Sequence, residues 1–210
     1  MSALLVVGMA VLLVGETGPE GVLNGLHPGH AVVNSFFLSV NRTTGMSTVD
    51  LAAIADATTA ALLVLMFIGG ASTSTAGGIK MGAFMVSLIV VMSTLRGRHR
   101  AEAFGREIPA PIVQRALTIT VVGFTTHALG TWALEITDDQ PFLPTLFEAM
   151  SAVANVGWTQ NMTQSLSDAG AMVLVALMFL GRLGPLLIAL SLPDVVSDTM
   201  RYPTAGVRIG

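Results

Sequence analysis

The stretch LMFIGG, Leu65–Gly70, returns as LMFLGR, Leu177–Arg182, at an offset of 112 residues. The same offset carries Ser39 onto Ser151, Gly45 onto Gly157 and Ser47 onto Thr159. An ungapped register across separated features marks an internal duplication. Duplicated units in a membrane protein pack about a symmetry axis, with the functional path between them.

Composition puts the chain in a membrane. Its 210 residues (21.8 kDa) are 52% hydrophobic and only 11% charged, with a mean hydropathy of +0.73. Soluble domains carry roughly 25% charged residues. Disorder requires low hydrophobicity and high net charge. A net charge of −3, with one Lys among ten basic residues, excludes a basic nucleic-acid binder. The absence of cysteine removes disulfides, thiolate metal sites and a cysteine nucleophile. No Ser-His-Asp order or carboxylate pair reads as catalytic, so an enzyme is not expected.

A spanning helix needs about 20 apolar residues. Ala57–Leu95, Ile112–Leu134 and Ala169–Leu192 qualify, and Ala3–Val14 reads as a helix whose beginning is missing. A signal peptide is the competing reading of that segment, but it lacks a basic start and a small-x-small cleavage site. Arg96, Arg98, Arg100 and Arg106 crowd one loop, and Arg201 and Arg208 lie in the tail. The positive-inside rule sends both to the cytoplasm. Glu16, Glu20, Asp50, Asp56, Glu135, Asp138, Asp139 and Asp168 fall on the other side. They read either as a solvated face or as a mouth that concentrates cations.

Each unit has one plan. A spanning helix is followed by an apolar stretch of about ten residues, Ala31–Val40 or Leu143–Val153, too short to span and suited to a re-entrant helix. Next comes a polar, glycine-containing segment, NRTTGMST (Asn41–Thr48) or ANVGWTQ (Ala154–Gln160), and then a second spanning helix. Non-helical backbone at membrane depth is tolerated inside protein or beside a water-filled cavity. Its carbonyls can replace the hydration shell of a potassium ion. Gly45 and Gly157 permit the angles that turn carbonyls inward. The candidate filter carbonyls are those of Thr43, Thr44, Gly45 and Met46, and of Asn155, Val156, Gly157 and Trp158. An ordinary outer turn is the plainer reading of either loop taken alone.

This plan, with SVNRTTGMSTVDL, MFIGGASTSTAGGIK and MFLGRLGPL, resembles the Trk/Ktr/HKT superfamily of potassium transporters, nearest its bacterial TrkH/KtrB-type membrane subunits. The resemblance implies an all-α integral membrane fold of tandem helix–pore loop–helix repeats, K+-channel-like. This chain matches the last two of the family's usual four. It implies potassium uptake across the inner (plasma) membrane by a multi-pass protein, with K+ as the transported ion and no cofactor bound in the chain. It leaves open whether Na+ or H+ is coupled. The implied partners are membrane lipid, a second copy in a homodimer, and a cytosolic nucleotide-binding regulatory subunit of the TrkA/KtrA type. The expected divisions are a pore repeat over 1–95, a cytoplasmic basic loop over 96–110, a pore repeat over 111–192 and a cytoplasmic tail over 193–210. Two filter strands cannot enclose an ion. An N-terminal half or a second copy of the chain must complete the ring; otherwise the chain is a transport-incompetent fragment or an assembly partner. Met1 falls inside an expected helix, which favours a partial chain.

Three further features take roles from this frame. Thirty-nine helical residues over Ala57–Leu95 would reach about 58 Å, against a core of about 30 Å, so the run must break. GGASTSTAGG, Gly69–Gly78, supplies the break. A phosphate cradle fails there, because Ile79 separates Gly78 from Lys80 and Met81 stands where Ser or Thr should bind magnesium. In the family this position is an intramembrane gate loop, which assigns Gly69, Gly70, Ser72, Thr73, Ser74, Thr75, Gly77, Gly78 and Lys80; a flexible kink is the alternative. Arg182 replaces Gly70 of the other unit. A charge inside a spanning helix faces a partner or a cavity. The resemblance makes Arg182 a barrier beneath the filter, and a salt bridge to Glu148 is the rival. Arg42 reads as a brace for the first loop, and His127 as hydrogen-bonded to a neighbouring helix.

Overall fold

The computed structural model describes residues 2–19, 21–71, 77–98, 100–103 and 105–191, with side chains through Leu183. The expectations for Ser72, Thr73, Ser74, Thr75 and the tail 193–210 lie outside the described residues.

Helix α1 spans Ser2–Glu16 and α2 spans Pro28–Asn41. Proline at its first position suits α2, since that N–H would have no helical partner. The 39-residue apolar run does break. Helix α3 covers Asp56–Phe67 and α4 covers Met81–Leu95. At 1.5 Å per residue these reach about 18 and 22 Å, so neither crosses a bilayer core alone. Helix α5, Ala110–Thr137, is long and apolar enough to cross a membrane by length and composition. Helix α6 covers Phe142–Ala154 and α7 covers Asp168–Ser191. The short α2 and α6 extend the expected half-helices by a few residues at most.

The loop of 96–110 is not wholly irregular. Glu102–Ala103 (β1) pairs antiparallel with Arg106–Glu107 (β2). Arg98 and Arg100 each donate to a carboxylate, Glu102 and Glu107, at 2.8 Å. These exposed pairs add little stability, but they offset half the loop's arginine charge.

Helix α1 packs on α2 and α3, and α5 packs on α4, α6 and α7. The two groups meet where α3 lies against α6. The main core sits at that seam: Leu12 and Leu38, then Leu62, Leu65 and Met66 of α3, then Phe147 and Met150 of α6, with Val156 and Trp158 of the following loop. A second cluster joins Leu134, Ala149, Val153, Leu174 and Leu177. Gly181 lets α7 touch the end of α6, because a Cβ there would overlap the Val153 carbonyl oxygen.

Two of the outer acids are not solvated. Glu16 is fully buried at the end of α1, where it accepts from the N–H of Val22 (3.1 Å) and of Ala55 (3.2 Å). Asp138, just past α5, is also buried and accepts from the N–H of Ser167 at 2.6 Å. Ala55 and Ser167 each precede a helix, α3 and α7, and stand 112 residues apart. Helices α1 and α5 thus each end in a carboxylate that pins the start of another helix. Buried carboxylates need such donors. This corrects the solvated-face reading for these two residues.

Candidate functional site

The loops after α2 and α6 meet. Gly45 has φ +81° and Gly157 φ +96°, the left-handed region that favours glycine. A Cβ on Gly45 would overlap the Val156 carbonyl oxygen and lie 3.2 Å from Gly157 Cα. The structure therefore brings two of the sequence-predicted segments, Thr43–Met46 and Asn155–Trp158, into backbone contact.

The local bonding explains the shape. Thr44 and Gly45 N–H groups both donate to Asn41 O, at 2.9 and 3.0 Å, curling the chain over the end of α2. Asn155 takes a left-handed conformation (φ 51°) as the C-cap of α6. Val156 N–H donates to Ser151 O at 2.9 Å, and Gly157 N–H to Ser151 Oγ at 3.1 Å. These bonds consume N–H groups and leave carbonyls. Among the described residues, the carbonyls of Thr43, Thr44, Gly45, Asn155, Val156 and Gly157 accept no hydrogen bond. The Met46 carbonyl differs, because Trp158 Nε1 donates to it at 3.1 Å. That bond joins two positions 112 residues apart, and Trp158 is buried.

Past the loops, Gln160 Nε2 donates to Leu51 O and Thr59 Oγ1, both at 3.1 Å, tying the second loop to the start of α3. Glu148 of α6 is buried and accepts from the hydroxyls of Thr159 and Thr163. Its carboxylate braces the second loop from behind, a role that composition gave no sign of. Ion pairs among the described residues do not include Arg182 with Glu148.

The break between α3 and α4 has a defined neck. Ile68 and Ile79 form a parallel bridge, Gly69 N–H donates to Ile79 O at 2.8 Å, and Met81 N–H donates to Gly70 O at 3.1 Å. The neck lies against the base of the second loop: a Cβ on Gly77 would sit 2.7 Å from Asn155 Nδ2 and 2.8 Å from Ala154 O. Gly69, Gly70, Gly77 and Gly78 therefore come together beneath the Asn155–Trp158 segment. Lys80 caps α4 within electrostatic reach of Arg182. Arg182 itself is exposed on α7.

Arg42 is fully buried, and its Nη1 donates to Leu65 O and to Ile68 O, the latter at 2.7 Å. It braces the end of α3 rather than its own loop. His127 is buried with Nδ1 unpartnered among the described residues, against the expected hydrogen bond to a neighbouring helix at that nitrogen. The described residues hold no cluster of three metal-ligating side chains.

The family model for TrkH, a cation transport protein, matches residues 2–196. This chain belongs to the TrkH family. The family consists of membrane transporters, not enzymes. The chain is 37% identical over 205 residues to the Ktr system potassium uptake protein B of Bacillus subtilis, covering 97% of this chain and 46% of that protein. It is 33% identical to the protein of the same name from Vibrio alginolyticus, covering 99% of this chain and 46% of that one. It is 32% identical to the potassium/sodium uptake protein NtpJ of Enterococcus hirae, covering 100% and 48%. The chain thus spans about half the length of the curated relatives it matches. The fold is similar to the crystal structure of the potassium transporter TrkH from Vibrio parahaemolyticus, with a TM-score of 0.63 at 22% identity, covering 91% of this chain and 42% of that one.

Proposed function

We propose that the chain forms half of a potassium-selective pore for K+ uptake, supplying two of four filter strands. The observation that carries this reading is the contact of two glycine turns: among the described residues the Met46 carbonyl accepts one hydrogen bond, and those of Thr43, Thr44, Gly45, Asn155, Val156 and Gly157 accept none. Such carbonyls can take the place of water around a dehydrated cation. Most residues of both loops are at least partly exposed, which leaves their carbonyls open to such an ion. The filter strands are Thr43–Met46 and Asn155–Trp158. The Met46 carbonyl shares its lone pairs with Trp158.

The neck at Gly69–Gly70 and Gly77–Lys80 acts as the root of a gate loop beneath the filter. Arg182, with Lys80 close by, adds a cationic barrier on the same route. The hairpin loop and tail face the cytoplasm, and the basic loop serves the regulatory subunit as a docking surface. The full-length protein is a homodimer in the inner membrane. The repeats occupy 1–95 and 111–192.

The ring closes with two further repeats, from sequence outside these residues or from a second copy. An exposed face supports this. At the 112-residue offset, Leu62 and Met66 of α3 align with Leu174 and Met178 of α7. The α3 pair is buried in the core with Phe147 and Met150 of α6. Met178 is 43% exposed, and with Leu174 it lines an open cavity of about 460 Å³ beside the second loop. A further half-helix would seat on α7 as α6 seats on α3.

The test is rubidium uptake in bacteria lacking their own potassium uptake. The complete gene and this chain alone are expressed separately. Uptake from the complete gene, blocked by potassium more strongly than by sodium, is the expected result. Membrane-inserted protein without uptake in either case overturns the reading.

A further inference from the structure

We infer that Trp158 is a positioning residue for ion selectivity: its indole N–H fixes the Met46 carbonyl and so sets the spacing of the first carbonyl segment from the second. The inference rests on the pore reading above and assigns one part of it.

The two segments are anchored unequally. In the second, the N–H groups of Val156 and Gly157 donate to Ser151, and Thr159 Oγ1 donates to the buried Glu148. Helix α6 therefore holds that segment on both sides of Trp158. In the first, the N–H groups of Thr44 and Gly45 and the Thr44 hydroxyl all turn back to Asn41. Ser47 Oγ donates to Val49 O, again within the loop. Among the described residues, one hydrogen bond ties Thr43–Met46 to anything outside its own loop, and it is the bond from Trp158 Nε1 to Met46 O.

The donor is held rigidly. Trp158 is 2% exposed and belongs to the core cluster that includes Leu51, Leu62 and Phe147. A buried indole N–H requires a partner, and a ring locked by packing places that N–H at one point. A carbonyl oxygen has two lone pairs. The indole takes one on Met46 O and leaves the other for an ion. The Met46 side chain is 64% exposed, so packing at that end does not fix the segment instead.

Met46 and Trp158 are also equivalent positions at the 112-residue offset, and each follows a glycine of left-handed φ. The bond runs from the side chain of one unit to the main chain of the other at the same place. A thioether has no hydrogen to donate, so Met46 cannot repeat the bond on a further neighbour. Gly45 already abuts Val156 O, which blocks closer approach. The indole resists separation. A carbonyl cage selects among cations by the number and spacing of its oxygens. A Met46 carbonyl released from the indole is free to close around the smaller sodium ion.

Two replacements at position 158 of the full-length protein decide this. Trp158→Phe removes the N–H and part of the ring. Replacement of Trp158 by 3-benzothienylalanine keeps the ring size and removes the N–H alone. The readout is inhibition of rubidium uptake by potassium against sodium, with melting temperature in detergent as the check on folding. Both replacements should lower potassium-over-sodium selectivity about three- to tenfold, the range set by the net worth of one hydrogen bond. Parental selectivity in the benzothienylalanine protein overturns the inference, even where Trp158→Phe is unselective, because ring packing and not the N–H then sets the cage. If Trp158→Phe does not fold, the benzothienylalanine protein decides by the same criterion. If the parent carries no rubidium, the pore reading fails and this assignment falls with it.

Discussion

A side chain at Gly45 has nowhere to go. Its φ of +81° costs a non-glycine residue about 1–2 kcal/mol, and its Cβ would strike a backbone oxygen that cannot rotate away. Gly45→Ser in the full-length protein should lower potassium-over-sodium selectivity about tenfold, read from competition of rubidium uptake; unchanged selectivity removes the loop from the filter. Asp138 yields a pH prediction. The Ser167 N–H, with hydroxyls of Thr137 and Ser167, holds its carboxyl below the ordinary carboxylate range. A carboxyl with a depressed folded value adds stability that is complete above the unfolded value of about 3.9 and is lost as pH falls through the folded value. Melting temperature in detergent should therefore decline below about pH 4, and Asp138→Asn should flatten that decline. Neither this residue nor Glu16 could be told from Asp139 in the sequence, since charge counting sees all three as outer acids. What separates them is a backbone N–H delivered from 29 or 39 residues away. Gly45 and Gly157 were legible because the 112-residue offset put them in register.

At the scale of elements, the break in the apolar run followed from length alone: no bilayer accommodates 39 helical residues upright. The neck that seals the break did not follow, because a parallel pairing of Ile68 with Ile79 has no local signature. The neck makes its own prediction. Gly77→Ala forces a methyl group against Ala154 O and Asn155 Nδ2. It should push the loop from the filter base and raise unstimulated rubidium uptake several-fold, whereas uptake at the parental level would make the contact incidental to gating. The hairpin at 102–107 was hidden in a loop read only for its arginines. Glu102 and Glu107 pair with two of them, and strands of two residues lie below the reach of alternation.

At the scale of the molecule, the two units hold each other through the α3–α6 seam and through the packing of α4 on α5, while the hairpin rests on the end of α4. Cutting the chain at Gly105, an exposed turn, and co-expressing both pieces should therefore give a complex that co-purifies from membranes. Separate pieces would mean that the connecting loop holds the units together. The seam was out of reach of the sequence, since periodicity marks apolar faces without saying which faces meet. The contact of the two glycine loops has a genetic consequence. Side chains that clash can be relieved by trimming a neighbour, but Gly45 abuts a peptide carbonyl that every amino acid carries. A lesion at Gly45 should have no suppressor at Val156 or Gly157, and heritable variation is channelled instead into the hairpin and other exposed turns, where drift meets no such wall.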